Sequence, residues 1–224
     1  MIFDLISDGL SIDLVVNLLV RVFIIFCVLP IHEFAHAFVA HKLGDDTARL
    51  SGRMTTNPLA HIDPMGALMI ILAGFGYAKA VPVNIRNFRN RKAYMAITAI
   101  AGPVSNIIMA FIFTFTAFLI NNFIPVQSKN LVYYIIVFLF TAADINISLA
   151  VFNLIPIPPL DGSRILNVII PDKYYYKIMQ YERYIVYGIF ALILFGVLDT
   201  PIYFLSNIFS ELITKLASLP FGAM

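Results

Sequence analysis

The chain has 224 residues, of which 60% are hydrophobic and 12% are charged, and its formal net charge is +2 at pH 7. A soluble domain carries about twice that share of charged residues, so a soluble fold is a poor second to a membrane protein. The small charge, without a dense basic face, argues against a nucleic-acid partner. Cys27 is the only cysteine, which excludes an intrachain disulfide and a cysteine-based zinc site within one chain.

The first long apolar stretch predicts a membrane helix from Ile12 to about Leu43. Arg21 is costly there, because a centrally placed arginine costs roughly 2.5–3.5 kcal/mol. We therefore expect Arg21 near one membrane face, with its side chain reaching towards water. His32 then lies roughly 15 Å deep, at about 1.5 Å per residue. Pro30 removes one intrahelical hydrogen bond and predicts a bend.

A short segment near 64–78 follows a polar loop. Its apolar part is only about 14 residues long, against about 20 for a spanning helix, and it contains Gly66, Gly74 and Gly76. These features predict a short re-entrant segment, and strand-like structure is the form considered for it. The next loop, 79–92, carries five basic residues and no acidic residue, so the positive-inside rule places it in the cytoplasm.

Three further apolar stretches predict more membrane helices. They lie at 93–122, 131–152 and about 184–198. The last segment, to about residue 219, carries Glu211 and Lys215. It is either an interfacial amphipathic helix, which we favour, or a marginal last span. The sequence thus predicts an all-α, multi-pass membrane protein with about four to six transmembrane helices.

The segment His32-Glu33-Phe34-Ala35-His36 has the pattern H-E-x-x-H on a predicted helix. Residues four apart project from nearly the same face, one turn apart. Both imidazoles can therefore bind one zinc ion while the glutamate acts on a water molecule. A pair of core histidines is disfavoured, because apolar residues would fill that place without the desolvation cost.

A catalytic zinc site usually has a third protein ligand. The candidates are His41, His61, Glu182 and the aspartates, among them Asp161. His41 lies five residues after His36, which rotates it about 140° from that face, and we interpret it as an interfacial residue. Asp161 ends the sequence PIPPLD, whose prolines prevent a regular helix. Alone this would indicate a simple turn, but beside the histidine pair the ligand interpretation is favoured.

Several motifs together resemble a known family. The segments HEFAH (32–36), AGPVSN (101–106) and NLIPIPPLDG (153–162) resemble signatures of the site-2 protease family of intramembrane zinc metalloproteases. The segments GRMTTNPLAHIDPMG (52–66) and AKAVPVNIRNFRN (78–90) resemble its compact bacterial and archaeal branch. We expect a single membrane-embedded domain over 1–224. Its catalytic core is expected at about 20–170, and a C-terminal span with an amphipathic segment at about 184–219.

The resemblance implies roles for particular residues. It makes His32, His36 and Asp161 the ligands of one Zn²⁺ per chain and Glu33 the general base. Asn153 would help to hold the substrate or its oxyanion. The implied activity is hydrolysis of peptide bonds in membrane-spanning proteins, near the cytoplasmic side of a bacterial or archaeal cell membrane. Substrate identity and oligomeric state do not follow from it.

The topology offers a test that is independent of the family. If residues 64–77 crossed the membrane, His36 and Asp161 would lie towards opposite sides and could hardly share one ion. A segment that enters and leaves on one side brings both to the cytoplasmic side. Its backbone could then pair with an extended substrate. Deletion of residues 66–76 tests this pairing, since unchanged zinc content and cleavage would contradict it.

Other polar residues keep open roles. Asn106 is expected to form hydrogen bonds between helices. Asp144 and Asn146 lie within a span, where they could pair with Arg21, line a water path or bind another metal. His61 is interpreted as a turn residue, with support of the zinc ligands as the minority alternative.

A metal transporter or metal sensor is the rival function, because it could use the same His and Asp cluster. Glu33 distinguishes the two, since only proteolysis needs it as a base while the metal stays bound. The expected partners are the lipid bilayer and transmembrane protein or peptide substrates.

Overall fold

The computed structural model describes residues 12–73, 76–124 and 130–222. These described residues form helices, turns and extended segments, with no β-strand among them. The strand-like structure considered for the segment near 64–78 is therefore wrong, because its apolar residues 64–73 form a helix. Three helices are long and apolar enough to cross a membrane, or four if one bent pair counts as a single span. The all-α membrane architecture is confirmed. The predicted range of four to six spans is met only at its lower end, and only with the bent pair included.

The first span consists of three consecutive helical segments. Helix α1 (Ile12–Phe23) leads into a π-helical turn (Ile24–Val28) and then into α2 (Leu29–Lys42). Pro30 follows the π turn directly, and the Leu29 N–H bonds to the Ile24 carbonyl, five residues back. Proline has no N–H to donate, so one intrahelical hydrogen bond is missing at Pro30, as the sequence predicts. The wider π turn accommodates this missing bond.

Two short helices and a hairpin follow the first span. They are α3 (Thr47–Leu50), α4 (Pro58–His61) and α5 (Pro64–Ala73), and after α5 the chain returns in extended form over 76–84 to a 3₁₀ turn (Ile85–Asn87). We call residues 64–84 the hairpin and residues 76–84 its extended arm. The Lys79 N–H bonds to the His61 carbonyl at 2.8 Å, so the hairpin ends where it began.

Glycines allow the extended arm to lie directly against α5. A β-carbon on Gly66 would be 2.0 Å from the Tyr77 carbonyl oxygen, and one on Gly76 would be 2.1 Å from the Gly66 carbonyl oxygen. Such distances are impossible for a real side chain, so both positions require glycine. Gly74, the third glycine of the predicted segment, lies outside the described residues.

The two longest uninterrupted helices are α6 (Arg91–Phe123) and α7 (Leu131–Leu154). Each begins at an asparagine cap, Asn90 and Asn130, whose side chain accepts a hydrogen bond from the first turn. Buried alanines on both helices let them approach closely. They form the scaffold against which α1, α2 and the later helices pack.

The C-terminal part has four helices. These are α8 (Gly162–Ile169), α9 (Asp172–Gln180), α10 (Glu182–Leu194) and α11 (Asp199–Ser218). Helices α10 and α11 meet at an angle of 82°. Helix α11 packs against α6 and α7, where Ile213 contributes to their buried cluster, while Glu211 and Lys215 are exposed. Leu212 and Leu216 of α11 are exposed as well, and the interfacial placement of this segment stays a prediction.

Candidate metal centre

Three potential metal ligands meet between α2, α6 and the turn after α7. His32 Nε2 and His36 Nε2 are 3.1 Å apart. An oxygen of Asp161, Oδ2, lies 3.3 Å from the first and 3.2 Å from the second. The two histidines are buried and Asp161 is partly buried. Within the described residues these three form the one group of His, Cys, Asp or Glu side chains close enough to share an ion.

The triangle of ligand atoms fits zinc. Ligands about 2.0–2.1 Å from a tetrahedral zinc ion lie about 3.3–3.4 Å from one another. The observed separations of 3.1–3.3 Å match three corners of such a tetrahedron and leave the fourth free. The Oδ2 atom of Asp161 is buried and accepts no hydrogen bond from the described residues. Two imidazole nitrogens and a carboxylate oxygen, all facing one point, therefore suit a cation.

Neighbouring groups keep Asp161 ionised and fix the tautomer of His36, and both states suit metal binding. Burial raises the pKa of the Asp161 carboxyl, but the two neighbouring imidazoles lower it by a larger amount. The pKa of Asp161 therefore lies well below its usual range. His36 Nδ1 is 2.8 Å from the Thr98 carbonyl, which can only accept a hydrogen bond. Nδ1 therefore carries the proton, and the Nε2 lone pair points to the cluster. No pattern in the sequence identified Thr98.

Gly102 explains the AGPVSN motif. A β-carbon there would be 2.3 Å from His36 Nε2 and 2.5 Å from His32 Cε1. Helix α6 can pass the histidine pair at this distance only without a side chain. In the sequence, only the family resemblance marks this motif. The structure shows that its glycine makes room for the two histidines.

The turn after α7 brings Asp161 to the histidines. A β-carbon on Gly162 would lie 2.3 Å from the Leu154 carbonyl oxygen, so this turn packs directly on the end of α7. The turn itself places Asp161 in the cluster, and this position favours the ligand interpretation over a simple turn. His41, His61 and Glu182, the other named candidates, do not join it.

Glu33 is buried next to the cluster and is held by the hairpin. Its Oε2 accepts a hydrogen bond of 2.9 Å from the backbone N–H of Val81 in the extended arm. The side chain of Asn153 is engaged within its own helix. Its Nδ2 donates to the Leu149 carbonyl at 2.9 Å, so this group is not free to meet a substrate in this conformation. Its role at the oxyanion stays a prediction.

A second carboxylate, Asp45, fastens the far end of the extended arm. It is fully buried and accepts hydrogen bonds of 2.7 Å from the Asn84 N–H and from Asn87 Nδ2, besides bonds from Thr47. Burial raises the pKa of this carboxyl, but the hydrogen bonds lower it by a larger amount. The pKa of Asp45 is therefore below its usual value. The carboxylates of Glu33 and Asp45 thus bind two N–H groups of one extended segment.

The remaining polar residues take structural places. His41 bonds to Asp46, and buried His61 bonds to the Thr55 carbonyl at 2.7 Å. Asn106 is buried, and neither side-chain atom has a hydrogen-bond partner among the described residues, so the expected bond between helices is not formed.

The two polar residues within α7 also lie apart from the cluster. Asp144 is exposed on α7, and Asn146 bonds back to the Ala142 carbonyl. A pairing of Asp144 with Arg21 is wrong, because Arg21 bonds to carbonyls of α5 instead.

The sequence model of Peptidase family M50 matches residues 20–197 of the chain. The chain belongs to this family. It is the site-2 protease family that the motifs resemble. The match starts in α1 and ends just after α10, so it includes the entire ligand cluster.

Individual relatives agree. YwhC of Bacillus subtilis is 42% identical over 157 residues, which cover 68% of this chain and 70% of YwhC. Rip2 of Mycobacterium tuberculosis is 31% identical over 139 residues, 60% of this chain and 51% of Rip2. MJ0611 of Methanocaldococcus jannaschii is 42% identical over 69 residues, 31% of each chain. No solved structure matches significantly.

The names of these relatives describe them as proposed zinc metalloproteases. The chain spans about half the length of Rip2. Zinc is thus the metal that the relatives' names specify, and the cluster of His32, His36 and Asp161 has ligand types and spacing that fit it. The predicted cofactor, Zn²⁺, is confirmed, and the chain is a membrane protein of a metallopeptidase family.

Proposed function

We propose that this protein is an intramembrane zinc endopeptidase that hydrolyses membrane-spanning substrates near the cytoplasmic side of the cell membrane. The observation that carries the proposal is the convergence of His32, His36 and Asp161 from distant parts of the sequence, with Glu33 beside them. The rival, a metal transporter or sensor, accounts for the ligands but gives Glu33 no role as a base.

The residues would divide the chemistry among them. His32, His36 and Asp161 would hold the zinc ion, which when bound activates water and polarises the scissile carbonyl. Glu33 takes a proton from the attacking water and returns it to the leaving amine. The Val81 N–H restricts one carboxylate oxygen of Glu33, and the other stays available for this transfer. Asn153 would bind the substrate carbonyl after leaving the Leu149 carbonyl.

The hairpin supports a re-entrant topology. Its ends meet at the hydrogen bond between Lys79 and His61, so we propose that residues 64–84 enter and leave the bilayer on the same side. The basic loop that follows supports a cytoplasmic location for that side, by the positive-inside rule. Irregular backbone is tolerated at membrane depth where protein or a water-filled cavity surrounds it.

Substrates are expected to be transmembrane helices that unwind locally. In a helix each carbonyl accepts a hydrogen bond from the N–H four residues further along, so the scissile bond becomes accessible only where the helix opens. Segments with Gly, Pro or Asn near their cytoplasmic third should therefore be preferred. The extended arm, which has no strand partner among the described residues, could receive such a segment along its edge.

The test uses full-length protein reconstituted in proteoliposomes with a panel of labelled transmembrane peptides. Glu33→Gln should abolish cleavage while zinc stays bound at one ion per chain, because the metal ligands are untouched. The loss should be about 10²-fold or more, as expected for a general base. Glu211→Gln is the matched control, since Glu211 is exposed on α11, and it should cleave normally.

Two outcomes would overturn the proposal. One is cleavage by Glu33→Gln at the control rate. The other is zinc flux across the proteoliposome that depends on Glu33, without any proteolysis by the wild-type protein, which would establish the transporter.

A further inference from the structure

The last described turn of α5, which ends at Ala73, lies within the apolar hairpin, where the proposed re-entrant topology offers no bulk water. Donors within a helix run out at its C-terminal turn. Carbonyls left without a donor are strongly destabilising in apolar surroundings. A donor from another part of the chain therefore stabilises this turn.

Arg21 supplies that donor. Its Nη1 atom is 2.9 Å from the Ile70 carbonyl oxygen and 3.2 Å from that of Ile71. Both carbonyls belong to the last described turn of α5, and they lie 49 and 50 residues from Arg21 in sequence. The C-terminal end of a helix also carries partial negative charge, which favours a cation. Among the described side chains, no carboxylate lies within ion-pair distance of Arg21.

We propose that Arg21 is a positioning residue that caps α5 and thereby holds the extended arm in register with Glu33. The catalytic part of this inference rests on the proposed function, whereas the structural part does not. The expected position of Arg21 near a membrane face stays a prediction. Its half-buried guanidinium donates to these carbonyls of α5.

Contacts connect the cap to Glu33 step by step. The arm leaves the end of α5 and packs back on it at Gly76, where a β-carbon would be 2.7 Å from Ile70 Cγ1. Ile70 is also one of the two residues that Arg21 caps. Two residues after the bond from Lys79 to His61, the Val81 N–H reaches Glu33. A shift of the α5 end is therefore transmitted to the donor of Glu33.

A second arginine bonds to the middle of the arm. Arg53 Nη2 donates to the carbonyls of Lys79 and Ala80. The hairpin is thus held by Arg21 at the last described turn of α5 and by Arg53 on the extended arm. Loss of Arg21 alone should loosen this turn and the arm while the metal ligands, which lie on α2 and after α7, stay in place.

The experiment compares Arg21→Met, Arg21→Lys and the control Arg183→Met. Arg183 is exposed on α10 and has no contact with the hairpin in the described structure. Each variant is made in a Cys27→Ser background with Ala78→Cys as a reporter, because Ala78 is half-buried on the arm. The measurements are the rate of modification by a maleimide, the zinc content, and kcat and KM for a transmembrane peptide.

We expect Arg21→Met to raise the modification rate several-fold and to lower kcat by about 10-fold or more, as for loss of a residue that orients an active-site group. Zinc content and KM should change little. Arg21→Lys should restore both values, because a single nitrogen of Arg21 makes both hydrogen bonds. If Arg21 served only to anchor the first span during membrane insertion, Arg21→Met would change the amount of protein inserted in the membrane. The modification rate of the cysteine at position 78 would then stay unchanged.

The inference fails if Arg21→Met matches Arg183→Met in modification rate and kcat. If Arg21→Met does not fold, Arg21→Gln replaces it, because its uncharged amide nitrogen falls two bonds short of the Nη1 position that makes both hydrogen bonds. Its modification rate should lie above that of Arg183→Met, and equality would overturn the cap. If the wild-type protein cleaves no peptide, the proposed function fails, but the modification rates still test the cap.

Discussion

Gly102 lies where α6 passes the two histidines, and a β-carbon there would come within 2.3 Å of His36 Nε2. Gly102→Ala must therefore displace either α6 or the imidazoles. We expect zinc affinity to fall by about 10–100-fold, the range found when residues that orient metal ligands are changed. Competition with a chelator of known affinity measures this.

Gly188→Ala is the matched control. Gly188 is also within a helix, but a β-carbon there would have nothing within 4 Å. Its zinc affinity should equal that of the wild type. Equal affinities for both glycine variants would show that α6 can yield at Gly102 without moving the histidines.

The residues of the metal centre differ in how far their roles can be predicted from the sequence. His32, Glu33 and His36 lie on one helix, so their spacing alone predicted a common site. Thr98 acts through its backbone carbonyl, which every residue type possesses, and so leaves no mark in the sequence.

At the scale of elements, the extended arm is fixed by carboxylates of the first helix and of the turn that follows it. Asp45 holds Asn84 and Asn87, while its neighbour Asp46 bonds only to His41 and Arg49. Asp45→Asn should therefore loosen residues 81–90, and Asp46→Asn should not. Hydrogen exchange of this segment, corrected for its intrinsic pH dependence, measures the difference.

The pH dependence has a definite sign. The pKa of Asp45 is lower in the folded protein than in the unfolded chain, where it is about 3.9. Its contribution to stability is complete above that unfolded value and is lost as the pH falls through the folded value. Wild-type protection of residues 81–90 should thus be constant near neutrality and fall below about pH 4, and protection of Asp45→Asn should be low already at pH 7. Equal protection of the two at neutral pH would contradict this.

The elements themselves were predicted unevenly. Spans at 93–122 and 131–152 agree closely with α6 and α7, because long apolar sequences with asparagine caps define their own limits. For the C-terminal helix, Glu211 and Lys215 favour an interfacial position, which stays a prediction. The packing of Ile213 against α6 and α7 is a contact that the charge pattern does not indicate, since charges on the exposed face do not prevent burial of the other face.

At the scale of the whole molecule, the topology makes a direct prediction. Because the hairpin returns to its starting point, Ser51 and Arg89 should lie on the same side of the membrane, and Asn122, at the far end of α6, on the other. Single cysteines at these exposed positions in a Cys27→Ser background should be labelled accordingly by an impermeant maleimide.

In intact spheroplasts, the positive-inside rule predicts labelling at Asn122 alone, and all three positions should react after lysis. Labelling of either Ser51 or Arg89, but not both, in intact cells would mean that residues 64–84 cross the bilayer. The re-entrant topology would then be wrong.

The sequence by itself determined the membrane class, the H-E-x-x-H helix, and the candidate status of Asp161, because composition and helical spacing are local properties. Only the tertiary structure decided which carboxylate joins His32 and His36, that Gly102 must be a glycine, and that Arg21 bonds to α5. Those facts depend on distances between segments far apart in the chain, and such distances exist only once the helices have packed.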